Sequence, residues 1–462
     1  MYRKTELGKG RREFMKQSLL VSLGFVGLSR YAFASANSPY NGFMDLLRDP
    51  AEYLDLPEGF TYKIISRAGD KMDDGLLVPA KPDGMGAFRG ATEGQVILVR
   101  NHENSPGSLD DSPFGSNNEL LSKLDANRLY DAGRMQTPSL GGTTTLVFDE
   151  GKQQIEKQYL SLAGTNRNCA GGVTPWGSWL SCEEDVTTIG GNVEKDHGFV
   201  FEVPSTRRKP IDPVPIKEMG RFNHEAVAVD PETGIVYQTE DRHDGLIYRY
   251  IPKVKGKLHK GGRLQALALK DAKSFDTRNW DAPLMQVNRP MKVDWVEIEN
   301  VLSPKDDLRL RGFEKGATRF ARGEGIWFGE RELYFACTNG GPNQYGQVFR
   351  YRLSPEEGSE NDNSAAATLE LFAESRDKGV LHMCDNLTIA PWGDLILSED
   401  NGELNHIRGI RPNGEVYTFA TNKSSGSEFA GAVFSPSGKT LFVNIQANGE
   451  TLAITGPWKN LS

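Results

Sequence analysis

Along this chain apolar residues recur in short, mostly alternating runs, and successive runs close on the same kind of polar tip, a cluster of Asn, Glu and Asp. The unit is an apolar strand, a Gly or Pro turn, a second apolar strand and the tip, a period-2 pattern that reads as antiparallel hairpins. It recurs over residues 91–104 (ending Asn101-His102-Glu103), 173–185 (Cys182-Glu183-Glu184-Asp185) and 226–241 (Thr239-Glu240-Asp241). Three more copies follow, at 325–341 (Cys337-Thr338-Asn339), 387–401 (Ser398-Glu399-Asp400) and 432–448 (Asn444-Ile445-Gln446). Six copies of one hairpin predict an all-β protein, a β-propeller of about six blades with short helical insertions.

A second strand type begins at Gly198, Gly245, Gly346 and Gly414, where aromatic and β-branched residues alternate with polar ones, as outer, half-buried strands require. Three stretches interrupt the repeats. Residues 118–130, within an insertion at 110–137, carry a short helical pattern; residues 251–304 are long and Lys-rich; residues 355–367 are acidic and of low complexity, the composition of a solvated surface loop. The first two are placed to wall the mouth of a central site.

The N-terminus reads as an address. Arg11-Arg12-Glu13-Phe14-Met15-Lys16, an apolar run at 19–28 and Ala34-Ser35-Ala36 form, in order, a twin arginine, a core too short to span a membrane and a cleavage site. Residues 1–36 are therefore expected to be a twin-arginine signal peptide, with the twin-arginine export machinery as partner, and residues 37–462 a single domain in the periplasm or outside the cell, without stable membrane insertion. The net charge is −8; the leading 36 residues contribute +5, leaving −13 on the rest, which argues against nucleic acid as a partner and is compatible with bound cations. Of four cysteines, Cys182, Cys337 and Cys384 lie in or beside apolar runs and read as buried small hydrophobes, a disulfide being the alternative. Cys169 differs, because Arg167, Asn168 and the Gly171-Gly172 pair surround it, which suits a metal thiolate.

In a propeller, equivalent tips from successive blades converge on the central channel. The converging set would hold Glu103, Glu184, Glu240, Asp241, Glu399 and Asp400, with Asp385-Asn386, Asn223-His224-Glu225 and Arg322-Gly323-Glu324 entering just before strands. So many carboxylates need cations among them. Oxygen donors in this number point to calcium, and a thiolate beside them to a transition metal. His102 and His224 each precede a Glu and are either ligands or buried imidazoles; Glu183, Asp244 and Glu403 read as ordinary turn or surface acids. Arg167, Arg221, Arg242, Arg319 and Arg322 stand near the presumed ligands, and guanidiniums beside metal ions suit a phosphoryl group. Walker, dinucleotide, Gly-x-Ser-x-Gly, His-Glu-x-x-His and Cys-x-x-Cys motifs are absent.

The motifs Asn101-His102-Glu103, Asn168-Cys169-Ala170-Gly171-Gly172, Thr174-Pro175-Trp176-Gly177, Cys182-Glu183-Glu184, Asn223-His224-Glu225, Arg322-Gly323-Glu324, Asp385-Asn386-Leu387 and Ser398-Glu399-Asp400 together resemble those of the PhoX-type alkaline phosphatases. The resemblance covers most of the chain beyond the signal. It implies a six-bladed propeller whose channel holds a pair of ferric ions (Fe3+), bridged by a thiolate and an oxo group, together with calcium ions (Ca2+). Carried over, Cys169 bridges the irons, Glu225 and Glu324 bind iron, and Arg322 holds the substrate phosphate with Arg167 nearby. Calcium ligands are then drawn from Glu103, Glu184, Glu240, Asp241, Asp385, Asn386, Glu399 and Asp400. The family's usual Asp-Arg-Pro-Glu is Ala321-Arg322-Gly323-Glu324 here, which keeps the Arg and Glu. The expected activity is hydrolysis of small phosphate monoesters for phosphate acquisition. Two rivals are a calcium-dependent lactonase or esterase and a non-catalytic exported metal-binding propeller.

Overall fold

The computed structural model describes residues 45–359, 361–362 and 367–460. The signal sequence expected at 1–36 lies outside them.

Six blades stand in a ring, the third and fourth joined into one nine-stranded sheet, and each begins with the strand nearest the axis. Blade 1 runs Pro82–Arg89, Gln95–His102, Gly141–Asp149, Gln154–Thr165; blade 2 has three strands, Asn168–Val173, Ser178–Glu183, Val200–Pro204. Blade 3 comprises His224–Val229, Val236–Glu240, Ile247–Pro252 and Gly262–Leu269, and blade 4 Gly323–Phe328, Glu332–Cys337, Gln347–Arg352 and Thr368–Glu374. Blade 5 comprises Cys384–Ile389, Leu395–Glu399, His406–Ile410 and Val416–Asn422. Blade 6 takes three strands from the end of the chain, Phe429–Phe434, Thr440–Ile445 and Glu450–Thr455, and its fourth, Thr61–Arg67, from the beginning. The six innermost strands contact one another in order, the sixth returning to the first, so the ring is closed.

Apolar alternation accounts for the packing. Each strand buries one face against the next blade, as where Ile396, Ile407 and Phe419 of blade 5 meet Phe434, Leu441 and Ile454 of blade 6. Each such side chain contributes about 1.5–3 kcal/mol on burial.

All six innermost strands carry a β-bulge at the same place, their first turn. The register slips between Pro82 and Met85, Asn168 and Gly171, His224 and Val227, Gly323 and Ile326, Cys384 and Leu387, and Ala430 and Val433. A bulge inserts an unpaired residue and re-aims its side chain. Small residues beside the bulges let neighbouring blades close up: a Cβ on Gly84 of blade 1 would lie 2.6 Å from Ala170 Cα of blade 2, and one on Gly172 would lie 1.9 Å from Val227 O of blade 3. Because the obstacle at Gly84 is backbone, Gly84→Val is expected to lower stability by about 3 kcal/mol and to displace Cys169, whose carbonyl oxygen lies 3.0 Å from the same Cβ position; thermal melting together with metal content checks both.

The insertions differ from expectation in three ways. Residues 118–130 form no α-helix: Asn118 takes a positive φ of 55°, and the segment breaks into 3-10 turns at Leu121–Lys123 and Ala126–Arg128. Its leucines cap blade 1, Leu121, Leu124 and Leu129 packing with Leu160 and Ala163. Residues 251–304, expected to wall the mouth of the site, are also part of the ring, since they supply the outer strand of blade 3 and a further strand, Met291–Ile298, that pairs with the outer strands of both blade 3 and blade 4. In the acidic loop Glu357 is buried and accepts hydrogen bonds from Tyr351 (2.8 Å), Tyr237 (3.0 Å) and Arg249 (2.6 Å). The α-helix among the described residues is Leu308–Glu314. No helix among them is long and apolar enough to cross a membrane.

Candidate metal and phosphate centre

The bulges build the site. The residue just inside each slip is Asp83, Cys169, Glu225, Glu324 and Asp385 in blades 1 to 5, so five blades in turn present an acid or a thiol at one end of the channel. Blade 6 breaks the series with Gly431, where a Cβ would lie 2.3 Å from Asp83 O; its carboxylate comes from Glu428, just before the strand. Together with Glu103, Glu184 and Asp400 from the second-strand tips these residues form four overlapping groups: Asp83–Glu103–Cys169, Cys169–Glu184–Glu225, Glu225–Glu324–Asp385 and Asp385–Asp400–Glu428. Within each group the ligand atoms lie within 4.8 Å of one another. The groups share members, so they form one continuous arc.

Burial and mutual repulsion dominate its electrostatics. Burial first, then Glu324 and Asp385, pushes Glu225 well above the usual carboxylate range, and Glu324 rises through burial and its neighbours Asp241 and Asp385. Asp385 is raised to about 7 by burial and by Asp400. The Cys169 thiol, 3.3 Å from Glu225 Oε1, is pushed up by burial and by Asp83 and Glu225. Glu225 Oε2 is buried with no hydrogen-bond partner. An unpaired buried acceptor among crowded acids is costly without a counter-charge. The donor set, oxygens with one sulfur, therefore fits bound cations.

Two arginines border the arc. Arg167 Nη2 lies 2.6 Å from both Glu103 and Glu184, and burial, which alone would lower its pKa, is overcome by those two acids. Arg322 grips Asp241 through Nε (2.8 Å) and Nη2 (2.9 Å) and Glu324 through Nη2 (2.7 Å). Its pKa is raised, chiefly by Glu324. Both arginines stay partly exposed, and none of these bonds uses Nη1.

Of the residues read from sequence, Cys169, Glu225, Glu324, Glu103, Glu184, Asp385 and Asp400 lie in the arc, and Asp241 joins it through Arg322. Asn386 supports it, donating to Asp385 Oδ1 at 2.8 Å and accepting from the Gly431 amide. Glu240 and Glu399 are turned elsewhere. Glu240, raised to about 7 by burial, accepts from Tyr248 (2.8 Å) and Leu246 N; Glu399 accepts from Arg408 (2.8 Å), His406 and His382 N. Each closes a strand on the opposite phase of the pleat from the channel. His102 and His224 are buried imidazoles bonded to Ala80 O and Gly220 O. Arg221 is spent on backbone carbonyls including Ser303 O, Arg242 on Asp306, and Arg319 on Asp276. All four cysteines are free and buried. Asp244 and Glu403 make ion pairs with Arg309 and Lys378.

Asp83 and Glu428 escaped the sequence reading. Each stands immediately before or within an apolar run, as Glu225 does, but the hairpin repeats visible in the sequence begin at residues 91 and 432, beyond both positions.

Glu183 is no surface acid. It is fully buried and accepts from Asn166 N, Gly198 N, Phe199 N and His197 Nδ1 (2.6 Å), beside Asp131. Burial alone would lower the His197 pKa; Glu183 and Asp131 outweigh it and raise it to about 10. A group raised above its unfolded value near 6.5 contributes fully below that pH and loses its contribution as pH passes through about 10. His197→Gln is thus expected to cost roughly 3 kcal/mol at pH 6, with the gap in melting temperature from the parent closing above pH 10.

Residues 41–449 match the family described as alkaline phosphatase PhoX. No curated protein matches by sequence. The fold is similar to that of Pseudomonas fluorescens PhoX in complex with vanadate, a transition state analogue, with a TM-score of 0.65 at 19% identity over 90% of this chain and 98% of that one. A gluconolactonase from Xanthomonas campestris aligns at a TM-score of 0.40 and 13% identity, over 87% of this chain and 97% of that one. A luciferin-regenerating enzyme aligns at 0.42 and 11%, over 86% and 96%. A family match across nearly the whole chain, a propeller fold and a mainly-β architecture agree, and the chain belongs to the PhoX alkaline phosphatase family, whose members are metal-dependent phosphomonoesterases.

Proposed function

We propose that this protein is exported by the twin-arginine route and releases phosphate from small organic monoesters at a mixed iron and calcium centre in the channel. The observation that carries the reading is the continuous arc from Asp83 to Glu428, containing one thiol and an unpartnered buried carboxylate oxygen and flanked by two arginines. Cys169, Glu225 and Glu324 are the residues for a ferric pair; Asp83, Glu103, Glu184, Asp385, Asp400 and Glu428 supply oxygens for calcium. The cations supply positive charge that offsets the phosphoryl group and the charge developing on the leaving oxygen.

The protein's own groups bind and orient. Arg322, held by Asp241 and Glu324, has its guanidinium plane fixed and offers Nη1 to a phosphoryl oxygen. Arg167 does the same from blades 1 and 2. Between them the ester is aligned against the arc, and no side chain is needed as a covalent nucleophile.

The test is elemental analysis of the exported protein, with p-nitrophenyl phosphate and a lactone hydrolysed by the same sample before and after chelation. Iron with calcium, and phosphate release lost on chelation, is the expected result. Undiminished phosphate release from metal-free protein would overturn the metal reading; lactone turnover alone would replace the substrate class.

A further inference from the structure

The side chain of Asn101 leaves blade 1 and enters blade 2. It is fully buried, and all four of its hydrogen-bonding positions are filled. Nδ2 donates to Cys169 O (3.2 Å) and Ala170 O (2.7 Å), while Oδ1 accepts from Trp179 Nε1 (2.9 Å) and Ser181 Oγ (2.8 Å). Ser181 Oγ in turn accepts from Asn168 Nδ2 at 2.8 Å, so the residue before the cysteine is tied to the same hub. The two carbonyls that Asn101 grips belong to the bulge that turns the Cys169 side chain toward Glu225.

Among the described residues the sheet register gives Cys169 and Ala170 no ladder partner. Asn168 pairs with Glu183 and Gly171 with Ser181, and the two residues between them have no opposite number in the sheet. Steric walls confine the segment without orienting it: a Cβ on Gly171 would lie 1.9 Å from Leu180 O, and the Gly84 backbone presses from blade 1. Only an amide provides two donors toward the bulge and an acceptor toward Trp179 and Ser181 at once. Equivalent grips occur elsewhere in the ring, from Asn444 of blade 6 to Asp83 O (2.6 Å), Thr239 of blade 3 to Glu324 O (2.6 Å) and Thr338 of blade 4 to Cys384 O (2.7 Å). Each joins one blade to the bulge of the next, and of these grips the one from Asn101 takes two carbonyls of the neighbouring blade.

We infer that Asn101 is a positioning residue that sets the direction of the Cys169 sulfur by clamping the bulge peptides on either side of it. The metal role of Cys169 rests on the function proposed above, but the clamp is a property of the polypeptide and is readable without metal. Asn101→Asp keeps the shape and the acceptor for Trp179 and Ser181 while turning both donors into an acceptor that faces two carbonyls.

The experiment alkylates folded, metal-stripped protein with iodoacetamide and reads each cysteine by mass spectrometry, with Cys182, Cys337 and Cys384 as internal controls. In N101D the Cys169 rate is expected to rise at least tenfold over the parent, with the other three unchanged. A parallel rise at all four cysteines would show a general loss of structure, and an unchanged Cys169 would show that the clamp does not hold it; either overturns the inference. If N101D does not fold, Trp179→Phe removes one of the two bonds that orient the amide, and the same selective rise, smaller, is expected; no rise overturns the inference. After loading with iron, a displaced thiolate-to-metal absorption band is expected in the variant, and a band at the parent's wavelength with only its height reduced counts against the inference. If the parent shows no such band, the metal reading fails while the alkylation result still decides the clamp.

Discussion

Arg322→Ala is expected to lower kcat/KM for p-nitrophenyl phosphate by about 10²–10³-fold, the loss seen when one preorganised donor to a developing oxyanion is removed. The expectation rests on how Arg322 is held. Two bonds to Asp241 and one to Glu324 fix the guanidinium before substrate arrives, so little ordering is left for the encounter. Arg322→Lys is expected to recover less than a tenth of the loss, because an ammonium offers no planar fork to grip Asp241 while reaching a phosphoryl oxygen. Steady-state kinetics on the three proteins, at equal metal content, checks the order. An Arg322→Ala variant as fast as its parent would remove Arg322 from the phosphate site.

The second large effect has opposite signs in two states of one variant. Glu225 is wholly buried, its Oε2 has no partner, and burial with Glu324 and Asp385 pushes its pKa far up. Without cations a neutral amide is easier to bury there than a carboxylate among carboxylates. Glu225→Gln is therefore expected to raise the melting temperature of chelator-stripped protein by several degrees. With metals restored the order is expected to reverse, because on the proposed function the variant has lost a ligand, and hydrolysis is expected to fall by about two orders of magnitude or more. Calorimetry on both proteins in both states is the check. A fall in both states would mean that Glu225 stabilises the fold through contacts of its own and not as a ligand.

These two residues show how unevenly the site was legible. Glu225 and Arg322 stand in short motifs, polar residues beside Gly or Ala at the mouth of an apolar run, and that local anomaly is visible without knowing the fold. The blade count was legible for the same reason, since hairpins with polar tips repeat. Glu240 and Glu399 were read with them because a one-residue step along a strand turns a side chain to the other face, and residue type alone does not give the phase. Strand phase near a bulge depends on where the extra residue sits, which hydrophobic alternation does not reveal. Glu357 illustrates the converse: an acidic, low-complexity neighbourhood conceals a carboxylate that is held by nearby Tyr351 and by Arg249 and Tyr237 from a distant part of the sequence.

The strand Thr61–Arg67 completes blade 6 against Glu450–Thr455, and the hydroxyls of Thr61 and Thr455 meet across 394 residues of chain. Asp83 and Glu428 lie on either side of the seam that this pairing seals. The ring thus resembles a belt whose buckle is made from two strands far apart in sequence. A ribosome must finish the last strand before the belt can fasten, and a pairing this distant in sequence is among the slowest contacts a chain can form. Without Glu450–Thr455, Thr61–Arg67 would have no strand to pair with. Synthesis of Glu450–Thr455 must therefore precede closure, and the arc from Asp83 to Glu428 is complete only after a strand that follows both of its ends in sequence has been made.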